Sequence, residues 1–140
     1  ELKPEDVKVT YSVVATKENQ VMVKMLLDAQ QLEVLMKRSA GEYQPKETHR
    51  SLFEILSERH QRDVCRAQDI LAFTSAVSTV LSFTVHLGDR HAGNVMLREN
   101  GAYLHIDYGY VLGNQPNMHL CYGANPQVRL DYSEIFTAIT

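Results

Sequence analysis

The chain has 140 residues, 44% of them hydrophobic, which suits one domain with a real core. Fourteen Lys and Arg against 17 Asp and Glu leave a formal charge of −3, so bulk electrostatics give no ground for binding nucleic acid or an anionic surface. No apolar run approaches the ~20 residues of a bilayer span and no secretory signal opens the chain. Cys65 and Cys121 lie far apart, fit no C-x-x-C pattern and read as reduced thiols.

The first ten residues, ELKPEDVKVT, look like the middle of a longer protein. VKVTYSVVAT, the polar turn KENQ and VMVKMLL predict a hairpin of two strands over residues 7–16 and 21–27. Asp28 is placed to cap a helix running to about Lys37, with Gly41 as its stop and a polar loop, GEYQPKETHR, beyond. Ser51–Glu54 has capping-box spacing and opens a short helix to about Arg59. Residues 63–86 read as one long helix. Its first half carries Val64, Ala67, Ile70 and Leu71 as a stripe, and its second half is apolar or small nearly all round, so it should be buried at the centre. A second capping box, Asp131–Glu134, opens a last helix, and the coarse class is α+β.

Between these helices lies GDRHAGNVML, followed by RENGAYLHIDYGYVLG. Asn100-Gly101 is a strong hairpin signal, because both central positions of a type I′ turn need φ > 0. A two-residue turn there sets Val95 opposite Ile106 and Asn94 opposite Asp107, with Cβ atoms about 5 Å apart. Val95, Leu97, Leu104 and Ile106 then share an aliphatic face, and Asn94, Met96, His105 and Asp107 share the other. Two converging oxygen ligands suit Mg²⁺, which takes few protein ligands and shares its other positions with phosphate and water. Asp89 precedes Asn94 by five, and Asp107 is followed by Gly109; phosphoryl transfer in protein kinases uses this spacing of base, metal-binding asparagine and metal-binding aspartate. His86, His91 and His105 do not have zinc-ligand spacing.

These two motifs, G-D-R-H-x-x-N and H-I-D-Y-G, resemble those of the phosphatidylinositol 3-/4-kinase superfamily, which includes the related large protein kinases. VTYSVVATKENQVMVKML is similar to its strands leading into the ATP hinge, and RDVCRAQDILAFTSAVSTVLSFTVHLGDRH to the helix feeding its catalytic loop. The resemblance implies a protein-kinase-like (lipid kinase) fold. Residues 1–27 would be hinge-proximal N-lobe strands, and residues 28–140 a mainly helical C-lobe with catalytic loop 86–94 and activation segment 107–130. It implies ATP and Mg²⁺ (or Mn²⁺) as cofactors, with adenine on the backbone of Met25, Leu26 and Leu27, Ile106 beneath the nucleotide, and Asn94 and Asp107 on the metal. His91 and Asp89 are the candidate bases, with His91 slightly favoured for proton abstraction and Asp89 for orienting the hydroxyl. Arg90, grouped with them as catalytic, and His105 suit scaffolding or phosphate-facing support.

Two departures stand out. Lys24 occupies a position where many members carry glutamate, and the phosphate-covering loop and ATP lysine are not found, so they would precede Glu1 in a fuller chain. The segment between Gly109 and Leu130 carries one Arg, one His and no Lys, which suits unphosphorylated phosphatidylinositol better than a multiply phosphorylated headgroup. The likeness is greatest to class III phosphatidylinositol 3-kinases, although the loop drifts toward phosphatidylinositol 4-kinase spacing. Met118, Leu120 and Tyr122 could enter the lipid interface or pack within the loop. The expected substrate is phosphatidylinositol in a membrane, the expected location cytoplasmic and peripheral on endomembranes, and the expected partners regulatory subunits and upstream residues of the same protein, with no nucleic acid. A protein kinase of the same superfamily and a non-catalytic kinase-like scaffold stay open.

Overall fold

A computed structural model describes residues 1–37, 50–112, 114 and 132–140. The expectations for Gly41, most of the loop after it, Asp131, Cys121 and residues 113 and 115–130 of the activation segment, Met118, Leu120 and Tyr122 included, lie outside the described residues. The described part is mixed helix and strand, arranged as two small antiparallel sheets with helices against the second.

The first sheet is the antiparallel ribbon β1 (Val13–Lys17) and β2 (Gln20–Val23), whose register shifts by one residue between Ala15, opposite Val21, and Lys17, opposite Gln20, beside a two-residue turn where Asn19 has φ 60°. Both strands are shorter than predicted. Ser12 still accepts the Lys24 N–H (2.9 Å), but further back the chain is held elsewhere: Arg98 donates to the Lys8 carbonyl (3.2 Å) and Asn100 to that of Asp6 (3.0 Å).

The second sheet is β3 (Ala29–Gln31), β4 (Val95–Arg98) and β5 (Tyr103–His105), in the order β3-β4-β5. Here the sequence reading needs correction. Residues 29–31 are a strand, not the first turn of a helix, and α1 spans only Leu32–Met36. Asp28 caps nothing there: its carboxylate is taken by Arg98 (2.7 Å) and its carbonyl by the Glu99 N–H (2.7 Å).

α2 (Leu52–Arg59) carries the capping box its sequence announced, with Ser51 Oγ accepting from the Glu54 N–H and the Glu54 carboxylate from the Ser51 N–H. α3 (Val64–Thr84) is capped by Asp63, and α4 (Tyr132–Ile139) closes the described chain. The core is built from Leu32, Leu35, Met36, Leu52, Ile55, Leu56, Ala67, Leu71, Val95, Leu97, Tyr103 and Ile135.

α3 is not buried all round, as its composition suggested. Ala67, Ile70, Leu71, Thr74, Ser75 and Ser78 form one buried stripe, while Val80 and Phe83 on other faces are 66% and 79% exposed. The small polar residues of its second half stitch the helix to the hairpin: Thr74 Oγ1 accepts from the Tyr103 N–H (3.0 Å) and Ser78 Oγ reaches the Tyr103 carbonyl (3.5 Å). That contact sets where α3 releases the chain into residues 86–94.

Candidate active site

α3 ends at Thr84, and the chain turns sharply through His86, at φ 46°. The segment then runs beside the one leaving the D-Y-G motif: Gly88 N–H donates to the Tyr110 carbonyl (2.7 Å) and Leu112 N–H to that of Val85 (2.8 Å). Two stretches some twenty residues apart in sequence are thus laced together, and the candidate residues lie between them.

Arg90 is the centre of this arrangement. Its Nε donates to the Gly88 carbonyl (2.7 Å), Nη1 to those of Ile106 (2.9 Å) and Asn94 (3.4 Å), and Nη2 to that of Asp107 (2.5 Å). One guanidinium therefore ties the loop start, the loop end and the second motif. Burial lowers its pKa, while Asp107 and Asp89 oppose the shift, and the group stays charged. These bonds make Arg90 a scaffold residue whose donors face backbone carbonyls, the first of the two roles its sequence allowed.

The hairpin register differs from the expected one by a single residue. Val95 pairs with His105, Met96 with Leu104 and Leu97 with Tyr103. The reason is the turn: Arg98 pairs with Ala102, Gly101 N–H donates to the Arg98 carbonyl (3.0 Å), and of the turn residues only Gly101 has positive φ, at 92°. This is a three-residue type I turn closed by a glycine bulge, not the two-residue type I′ turn. Asn100 supports it by accepting the Ala102 N–H on Oδ1 (3.0 Å). A one-residue slip moves side chains between faces. His105 therefore shares the core side with Val95, Leu97 and Tyr103, and Asn94 is opposite Ile106, whose N–H donates to the Asn94 carbonyl (3.0 Å).

Asp107 lies one step beyond, so direct opposition to Asn94 does not occur. Asp107 has φ 60°, which ends the strand and its alternation and re-aims the chain. Asp89 is also left-handed, at φ 51°. Aspartate tolerates this region better than most residues, and such strain clusters at functional sites. Asp107 Oδ1 accepts the Gly109 N–H (3.1 Å), while its backbone carbonyl is held by Arg90. Asn94 is buried, and its amide nitrogen donates to the Asp89 carbonyl (2.9 Å) and toward the Asp89 carboxylate (3.4 Å), so the amide oxygen is the atom left for a metal. An amide oxygen and a carboxylate are hard donors of the kind Mg²⁺ selects. Among the described residues no three His, Cys, Asp or Glu side chains are grouped as a protein-only metal site.

His91 sits beside this pair with Nε2 3.9 Å from Asp89 Oδ1. Its Nδ1 accepts the Gly93 N–H (3.1 Å), so the neutral ring carries its proton on Nε2. Gly93 is closely approached by two side chains: a Cβ there would come within 2.8 Å of the Glu33 carboxylate and 2.9 Å of the His91 ring, so one of them would have to shift. Gln31 Nε2 holds the Gly93 carbonyl (3.1 Å) from β3.

Asp89, Arg90, His91, Asn94, Ile106 and Asp107 are thus brought together. Met25, Leu26 and Leu27 are not brought into this group: they come after β2, with Met25 and Leu27 exposed, and the next residue, Asp28, pairs with Arg98 at the other end of β4. Tyr11, Gln31 and Glu33 were not foreseen. Burial raises the Tyr11 phenol pKa, opposed by a hydrogen bond with the Asp107 backbone. Tyr11 belonged to a predicted strand far from the motif, and no spacing rule joins the two.

His105 is 3% exposed, edge-on to Tyr103 (ring centroids 5.3 Å apart). Burial, with the Arg90 charge beside it, pushes its pKa down to about 4. The folded protein holds it neutral, while the unfolded chain takes up the proton below about pH 6.5. Stability from this source is complete above pH 6.5 and falls by roughly 3 kcal/mol as pH drops to 4. Urea unfolding at pH 7 and 4.5 should show the native chain losing roughly 2–3 kcal/mol more than His105→Gln; His60, also pushed down by burial, acts equally in both and cancels. Equal losses would place the proton on His105 in the fold.

A family model described as phosphatidylinositol 3- and 4-kinase matches residues 3–127. The chain belongs to that family. This kinase segment is 41% identical over 51 residues to phosphatidylinositol 4-kinase PIK1 of Saccharomyces cerevisiae, covering 36% of the chain and 5% of that protein. It is 25% identical over 122 residues to a phosphatidylinositol 3-kinase, root isoform, of Glycine max, covering 79% and 14%. Against the phosphatidylinositol 3-kinase catalytic subunit type 3 of Caenorhabditis elegans it is 45% identical over 38 residues, covering 27% and 4%. The kinase segment therefore spans only a small part of these relatives, while both 3-kinases and 4-kinases are among them.

Proposed function

We propose that the protein containing this chain transfers the γ-phosphoryl group of ATP to a hydroxyl of phosphatidylinositol in a membrane, the 3-hydroxyl of the unphosphorylated headgroup being the favoured acceptor. The observation that carries the proposal is the convergence of Asp89, Asn94 and Asp107 on one loop and hairpin clasped by Arg90. Asn94 and Asp107 would hold Mg²⁺, which when bound would offset the negative charge of the phosphates. The backbone at Met25, Leu26 and Leu27 would take adenine, with Ile106 beneath it.

Of the two base candidates, Asp89 is better placed. His91 has Nδ1 engaged by Gly93 and a proton on Nε2, so it serves as a donor beside the reacting oxygen. Asp89→Asn should therefore lower turnover by about 10²-fold or more, while His91→Gln, which keeps a donor, costs less than about tenfold. Steady-state rates of the two variants decide the matter; equal losses would return the base role to His91.

The near-neutral stretch between Gly109 and Leu130 supports an unphosphorylated headgroup, since each added phosphate calls for cationic partners. A 4-kinase is the second reading, favoured by the 41% and 37% identities to 4-kinases over the segment they share. Action at the cytoplasmic face of endomembranes, with regulatory subunits and upstream residues of the same protein, belongs to this proposal. Full-length protein given radiolabelled ATP, phosphatidylinositol vesicles and peptide substrates, with the lipid product resolved by inositol position, tests it. Label on the 3-position is expected; label on the 4-position selects the second reading, and label on peptide alone overturns both.

A further inference from the structure

Arg98 lies outside both motifs, on the β4 end far from Asn94, yet it contacts two other segments. Its Nε (2.8 Å) and Nη2 (2.7 Å) both donate to Asp28 Oδ2, and its Nη1 to the Lys8 carbonyl (3.2 Å). The backbone reinforces the pair: Glu99 N–H donates to the Asp28 carbonyl (2.7 Å), and Ala29 pairs with Arg98 in the β3–β4 ladder. Asp28 is the residue directly after Met25, Leu26 and Leu27, and β4 runs from Arg98 back to Val95, next to Asn94. The exposed β1–β2 ribbon offers the segment 25–27 little support of its own, since none of its nine residues is buried.

We propose that the Arg98–Asp28 pair is a positioning strut that holds the adenine-binding segment 25–27 at a set distance from the metal-binding end of the hairpin, Asn94 and Asp107. The inference rests on the reading of those two regions given above. An ion pair this accessible, with the Asp28 side chain 43% exposed, adds little to stability. Geometry is another matter, because a ligand that spans two subsites depends on their separation, and a displacement near 1 Å can cost on the order of 10² in rate.

Adenosine reaches only the first subsite, whereas ATP with Mg²⁺ must reach both. Full-length protein carrying Arg98→Met, Asp28→Asn or the exchanged pair Arg98→Asp with Asp28→Arg is compared with the native chain by calorimetric Kd for adenosine and for Mg²⁺-ATP, with kcat alongside. Each single variant should bind Mg²⁺-ATP about tenfold more weakly and turn over more slowly, keep adenosine affinity within about twofold, and show an unchanged melting temperature; the exchanged pair should regain part of the Mg²⁺-ATP affinity. Parallel weakening of both ligands, or no change in either, overturns the strut. Variants that show the ligand split, in a protein whose native form phosphorylates no lipid, sink the proposed function and leave the strut standing.

Discussion

Asp107→Asn should reduce phosphoryl transfer on the order of a thousandfold while leaving the fold intact. The substitution keeps an oxygen for the Gly109 N–H and a side chain that tolerates the φ of 60°, so the local turn survives. Asp107 is exposed, and surface changes of this kind shift stability by no more than about 0.5 kcal/mol. What is lost is the negative charge that would fix Mg²⁺ against the triphosphate, a contribution of several kcal/mol, at about 1.4 kcal/mol per tenfold in rate. Turnover at saturating Mg²⁺, with chemical unfolding of the same preparation, separates the outcomes. Full activity would remove Asp107 from the metal site, and unfolding by several kcal/mol would make its role structural.

Gly101→Val should fail differently, losing fold and activity together. Gly101 closes the three-residue turn at φ 92°, where a β-branched residue is a severe outlier. Space is also lacking, since a Cβ there would stand 2.9 Å from the Ala67 carbonyl oxygen and 3.2 Å from its Cβ, on the first turn of α3. Backbone strain of about 1–3 kcal/mol and a similar overpacking term would remove a large share of the 5–15 kcal/mol typical of a domain. The damage reaches the site because this turn sets the register that puts Asn94 opposite Ile106. Denaturant midpoint and lipid kinase rate should fall in concert; a valine variant that is stable and active would refute this account of the turn.

The same turn marks how far the amino-acid sequence can be read. Asn100-Gly101 announced a hairpin at the correct place, and the capping box at Ser51 announced a helix start. The loop length was read as two residues because Asn-Gly satisfies a type I′ turn. The structure uses Asn100 instead as a side-chain acceptor for Ala102 and places the single left-handed residue at Gly101. Both solutions accept the same dipeptide. What selects one is the core: the observed register buries Tyr103 and His105 beside Val95 and Leu97, against a helix whose Thr74 and Ser78 meet the Tyr103 backbone. Asp28 was misread for a like reason, since a capping residue and a partner for a distant arginine look alike in sequence.

By itself the sequence determined which acids, amide and imidazole are clustered, their spacing, the helix that leads into them and the family to which the chain belongs. These are local properties, set by side-chain type and by neighbours within a turn or two. Only the tertiary structure decided that Arg90 faces carbonyls, that Tyr11 lies on Asp107, that Asp28 meets Arg98 and that Asn94 is opposite Ile106. Each of these joins groups distant in the chain or depends on which strand face meets the core, and packing of the whole domain, not local preference, selects among such pairings.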